Sequence, residues 1–135
     1  MATWILKTEP TEYSFADLKK DGTTVWSGIS NATALIHLRN IKQGDTLVIY
    51  HTGKERQAVG LARAASGPYA DPSLGDPKRV VIDVAAGKAL AGAVTLEQFK
   101  ADPLLAKSDL VRIGRLSVVP LNGAQLARVL EFART

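Results

Sequence analysis

Apolar residues in this chain fall into short runs separated by glycine, proline and aspartate, with few long stripes. Thr3 to Thr8 reads as a strand. Ser14 followed by Asp17 resembles a helix start, and Gly22 a stop. Thr23 to Trp26 is a short β-prone run. A helix is expected over Ala32 to Arg39, capped by Ser30 or Asn31. Gly44-Asp45 turns the chain into a strand from Thr46 to Tyr50, and Gly53-Lys54-Glu55 leads back through Gln57 to Ala64. A proline- and glycine-rich loop spans Gly67 to Lys78, followed by a strand from Arg79 to Ala86. Thr95 with Gln98 opens a helix that Asp102-Pro103 ends. Leu116 to Leu121 is strand-like. Asn122 with Gln125 opens a last helix whose Leu126, Val129, Leu130 and Ala133 share one face. Strands with interspersed helices and no regular βαβ rhythm predict an α+β fold, a mixed barrel-like sheet flanked by short helices.

Composition narrows the possible chemistry. The length, 135 residues, suits one domain over 1–135. The absence of cysteine excludes a disulfide framework, a thiolate zinc site and a cysteine nucleophile. With only His37 and His51 as imidazoles, neither a metal nor a cofactor is expected. The phosphate-loop, dinucleotide, zinc-protease and serine-hydrolase motifs are all missing. Charge arrives too early for a signal peptide, and no run approaches the ~20 apolar residues of a membrane span. The expectation is a cytoplasmic protein with no membrane partner. A net charge of +4 favours an anionic partner but also fits an ordinary surface.

Three segments carry candidate chemistry. Lys7-Thr8-Glu9-Pro10, followed by Tyr13-Ser14, sets a cation, a hydroxyl and a carboxylate at a strand end. The alternative is a solvated strand end. Because successive strand residues face opposite ways, Lys7 and Glu9 converge while Thr8 points away unless the strand bends. In the second segment, Trp26 is followed by Ser27-Gly28-Ile29-Ser30-Asn31, an aromatic plane beside a helix N-terminus, where a flat polar ligand finds stacking and N–H donors. The alternative makes Trp26 core and Asn31 a cap. Tyr50-His51-Thr52 is the third. His51 there reads as a surface residue or a pocket group, and Tyr50 as core or wall. His37 reads as structural.

At these residues the chain resembles the EVE domain family. The likeness runs through Trp4-Ile5-Leu6-Lys7-Thr8-Glu9-Pro10, Trp26-Ser27-Gly28-Ile29 with Asn31, Leu38-Arg39 and Val48-Ile49-Tyr50-His51. It continues through Val59-Gly60-Leu61-Ala62, Tyr69-Ala70-Asp71-Pro72 and Gly114-Arg115-Leu116-Ser117-Val118. The resemblance implies a PUA-like fold, related to YTH and ASCH domains, and a binding module for a modified base in DNA or RNA, modified cytosine favoured. The partner is then nucleic acid carrying that base, or the free nucleoside. Trp26 would stack on the flipped base with Tyr50 as a second wall. Glu9 would accept from a cytosine amino group. Thr8, Ser27 and Asn31 would read the remaining edge, and Lys7, Arg39 and Arg115 would face phosphate or ribose. His51 and Ser117 complete the candidate set.

The chain departs from the usual EVE pattern at Ser27, Ser30, Ala32, Leu35 and Ile36, where an aspartate, arginine, tyrosine and an Arg-Asn pair are common. Those changes remove charge and a ring beside the pocket. Two other readings stand beside the reader. One is a small amidohydrolase acting on a modified nucleoside through Lys7, Thr8 and Glu9, as in ASCH-type relatives. The other is an interaction scaffold with a vestigial pocket.

Overall fold

Three of the five helices start where reciprocal caps are written into the sequence. In the computed structural model, which describes residues 1–135, the Ser14, Thr95 and Asn122 side chains each accept from the backbone three residues on. Asp17, Gln98 and Gln125 reach back to close each box. These boxes open α1 (Phe15–Asp21), α3 (Leu96–Ala101) and α5 (Gly123–Ala133). Asn31 alone caps α2 (Ala32–Asn40), and a short α4 (Asp109–Arg112) follows a 3-10 turn at Leu105–Lys107.

Seven strands form the sheet: β1 (Thr3–Thr8), β2 (Thr23–Trp26), β3 (Thr46–His51), β4 (Gln57–Ala64), β5 (Tyr69–Ala70), β6 (Val80–Thr95) and β7 (Val118–Leu121). Their order is β2-β6-β4-β3-β1-β7, with β5 paired to β6 at the side. β1 and β3 run parallel and the other pairs antiparallel, so the sheet is mixed. β2 and β7 are the two edge strands, and they do not pair with each other, so the sheet does not close.

β6 continues to Thr95, well past the expected end at Ala86. Its second half, Gly87-Lys88-Ala89-Leu90-Ala91-Gly92-Ala93, has no β-branched residue to announce a strand. Against β4 its register shifts on both sides of Gly60. Such bulges bend the strand that carries them. Gly60 also leaves room for α1, since a methyl there would lie 2.3 Å from the Phe15 ring.

The core is one cluster of 31 buried residues that includes Ile5, Leu6, Leu18, Leu38, Val48, Ile49, Phe99 and Val119. Trp4 belongs to it, and its indole N–H donates to Asp45 at 3.0 Å. The other N–H donors to that carboxylate are Ala2 and Lys42. The Gly44-Asp45 turn thus supplies the buried acceptor that the indole needs. No helix is long and apolar enough to cross a membrane.

Candidate functional site

The connection from β1 to β2 spans the gap between the two ends of the open sheet. β1 stops at Thr8, and Pro10 keeps Glu9 extended. The chain turns with Glu12 and Tyr13 N–H donating to the Glu9 carbonyl, each at 2.9 Å. The Thr8 hydroxyl donates to the Tyr13 carbonyl at 2.7 Å, and the Phe15 N–H donates to His51 Nε2 at 3.0 Å. Tyr13 is thereby fixed opposite Trp26 at the end of β2. The two rings lie edge to face, 6.2 Å apart at 82°.

Beside this pair opens a cleft of about 410 Å³. Lys7, Thr8, Glu9, Glu12 and Tyr13 line one side, Thr24 to Ile29 the other, and Ser117 the floor just before β7. A cleft of this size accommodates a small flat ligand. It lies where the sheet fails to close, between edge strand β2 and the β1–β7 end. Gly28 has φ of 83°, and the space beside its Cα is open. The backbone of this wall is therefore accessible from the cleft.

Lys7 is the central cation. Its backbone N–H donates to Ser117 at 3.0 Å and its ammonium to the Gly114 carbonyl at 3.0 Å. It stands 5.9 Å from the centre of the Tyr50 ring. No carboxylate lies within 4.0 Å of it. Half-burial without a counter-ion pushes its pKa below the ordinary lysine value. Glu9 is held: Oε1 accepts from the Thr11 N–H and hydroxyl, and Oε2 from Thr52 at 3.4 Å. Glu12 carries a carboxylate at the exposed rim. Burial pushes the Tyr13 hydroxyl above its usual range, and it donates to Asp21 at 2.8 Å.

Of the candidates from the sequence, Lys7, Thr8, Glu9, Trp26, Ser27 and Ser117 meet in this cleft. Thr8 lines it although it alternates with Lys7, because the strand ends there and the chain folds over. Trp26 is both wall and core, with 7% of its surface exposed. Four candidates are employed elsewhere. Asn31 caps α2, its Oδ1 accepting from Ala34 at 3.0 Å. His51 is not a surface residue: it is buried, and both ring nitrogens are used, Nε2 by Phe15 and Nδ1 against Glu55 at 2.9 Å. Tyr50 is buried beneath Lys7 and does not line the cleft; the wall facing Trp26 is Tyr13. Arg39 donates to the Lys78 carbonyl at 2.8 Å. Arg115 is exposed beside Gly114, outside the lining. The lining residues that sequence reasoning did not single out for the site are Glu12, Tyr13, Thr24, Val25, Gly28 and Ile29. The Tyr13-Ser14 pair in the first motif was the available signal.

An uncompleted mixed sheet with short helices and a cleft at its seam defines a PUA-like domain. The chain belongs to the EVE domain family, whose model matches residues 2–132. A Rhodopseudomonas palustris protein solved by NMR is 32% identical, with a TM-score of 0.94, covering 99% of this chain and 94% of that one. The human THYN1 protein, solved in complex with 5-methylcytosine-containing DNA, is 25% identical with a TM-score of 0.91, covering 100% and 99%. The fold extends further, to the YTH domain of Zygosaccharomyces rouxii MRB1, solved with N6-methyladenosine RNA. That domain is 16% identical with a TM-score of 0.61, over 98% of this chain and 86% of that one.

Proposed function

We propose that this protein is a reader of a modified base, cytosine-type favoured, which enters the seam cleft after flipping from a nucleic-acid strand. The observation that carries the reading is the Tyr13–Trp26 edge-to-face pair beside Lys7, a half-buried cation with no carboxylate partner. One ring of the perpendicular pair can take a face of the base, worth ~1–3 kcal/mol per stacked base, while the other borders its edge. Lys7 and the Ser117 hydroxyl suit the O2 and N3 acceptors of cytosine. Glu9, a carboxylate of the cleft lining, suits the N4 amino group. In this reading Thr8, Ser27 and Thr24, all in the lining, complete the edge, and Arg115, exposed beside Gly114, meets backbone phosphate. The human THYN1 complex with 5-methylcytosine-containing DNA, in a protein of the same fold over the whole chain, supports this reading.

The hydrolase alternative gains from one observation: Lys7, Thr8 and Glu9 share the cleft. It lacks a nucleophile–base contact, because all three side chains bond elsewhere, Lys7 and Thr8 to carbonyls and Glu9 to Thr11 and Thr52. Incubation with modified nucleosides, followed by chromatography and equilibrium binding, separates the two. Retention without turnover, tighter for modified than unmodified cytosine, is expected. Release of a new base or acyl product would establish the hydrolase, and equal retention of both cytosines would end the reader.

A further inference from the structure

The β3–β4 turn that backs the cleft has a second face. Its residues 54–56 line another cavity, of about 360 Å³, together with the start of α3. Lys54, Arg56 and Lys100 bring three cations to it, and Glu55 and Glu97 two carboxylates. The charges do not cancel locally. Glu55 is taken up by His51 Nδ1 at 2.9 Å and Gln57 Nε2 at 3.4 Å. None of the three cations has a carboxylate within 4.0 Å.

Arg56 is the most constrained of them. Its φ is 47°, in the left-handed region that an arginine seldom occupies. Its Nε donates to the Gly53 carbonyl at 3.2 Å, and its own carbonyl accepts from Leu96 at 2.9 Å. The guanidinium is thus anchored through one nitrogen, leaving Nη1 and Nη2 for an external acceptor. A planar fork of this kind matches phosphate oxygens.

The turn is also a partition between the two cavities. Gly53, at φ of 72°, receives the Glu9 carboxylate so closely that a methyl group would lie 2.4 Å from Oε2. Tyr50 has the Lys7 ammonium near its ring, and the Arg56 charge acts on its hydroxyl. Cations therefore stand on both sides of one short turn, joined by a common aromatic residue.

The geometry points to a second anion site, in which Arg56 with Lys54 and Lys100 holds a phosphodiester of a single strand crossing the β3–β4 turn. This rests on the base-reading proposal for the strand's origin. The site adds position and affinity, and reads no sequence.

Arg56→Gly combined with Lys54→Ala and Lys100→Ala tests it. Glycine suits the positive φ, and the two lysines are exposed, so the fold is spared. Two probes are used: 5-methyl-2′-deoxycytidine, and a single-stranded DNA of about ten nucleotides with one central 5-methylcytosine. The log–log salt slope for the oligonucleotide should flatten by about 0.7, the value for one lost phosphate on a single strand. Nucleoside affinity should stay unchanged. An unchanged slope overturns the anion site, and so does tight binding of inorganic phosphate by the parent protein without a change in slope. A flattened slope with no nucleoside bound by the parent protein refutes the cleft reading and leaves the anion site standing.

Discussion

Replacing Tyr13 by alanine separates the wall of the cleft from the core. Tyr13 is half-buried, packed against the core without belonging to it. Its removal takes away the edge-to-face pair with Trp26, worth ~0.5–1.5 kcal/mol. It also takes away the exposed hydrogen bond to Asp21, worth roughly 0.5 kcal/mol. A total of about 1–2 kcal/mol is well below the 5–15 kcal/mol stability of an ordinary domain, so Tyr13→Ala should fold. The missing ring should weaken binding by ~1–3 kcal/mol, about 5- to 150-fold. Titration of the 5-methylcytosine oligonucleotide, followed by Trp26 fluorescence, reads the affinity, and thermal melting reads the fold. Tyr13→Phe keeps the ring and should retain most of the affinity. Trp26→Ala is a poorer probe, because burying 93% of an indole in the core implies a loss of ~3–5 kcal/mol of stability with the ligand contact. Unchanged affinity in a folded Tyr13→Ala protein would refute the aromatic-wall argument.

His51→Leu orphans the Phe15 N–H and should cost ~1–3 kcal/mol while loosening the loop that carries Tyr13; His51→Gln, whose amide oxygen can accept, should recover part of both, as melting and titration would show. Gly60→Ala drives a methyl into the Phe15 ring and should lose ~1–3 kcal/mol in denaturant unfolding. Asp102 accepts from the Leu105 and Leu104 N–H groups and from Arg128, and the Leu105 hydrogen bond leads in holding its carboxyl below the usual 3.8. A depressed folded-state value means that its contribution is present above that range and is lost as pH falls through the lower, folded value. Asp102→Asn should therefore be less stable at neutral pH and flatter in acid, which melting from pH 7 down to about 2 would check.

Local chemistry was the legible part of the fold. The capping boxes at Ser14, Thr95 and Asn122 each need only four adjacent residues, and all three appear as written. Lys7, Thr8, Glu9, Trp26 and Ser27 were marked out by residue type at element ends, and the cleft gathers them. What escaped depends on distant partners. The full length of β6 is set by pairing with β4, since its alanines and glycines have little preference of their own. Tyr13 becomes a wall through bonds made by Thr8 and His51, 5 and 38 positions away along the chain. His51, Asn31 and Tyr50 were of the right type, but a helix start, a helix cap and the core claim them first. The resemblance to EVE domains supplied the chemistry of the ligand, which no residue pattern in the chain spells out.

The register shifts around Gly60 reach further than their place in the sheet suggests. Opposite sides of the cleft belong to opposite ends of one curled sheet, β2 at one end and β1 with β7 at the other. Their separation is therefore a global dimension, set by how sharply β6 and β4 bend in the middle. Like the jaws of a clip, the walls would stand wider or narrower on a sheet with a different bend, with every lining residue unchanged. Relatives that differ at the bulge and agree in the cleft would then accept bases of different size, and the aperture would evolve independently of the chemistry inside it.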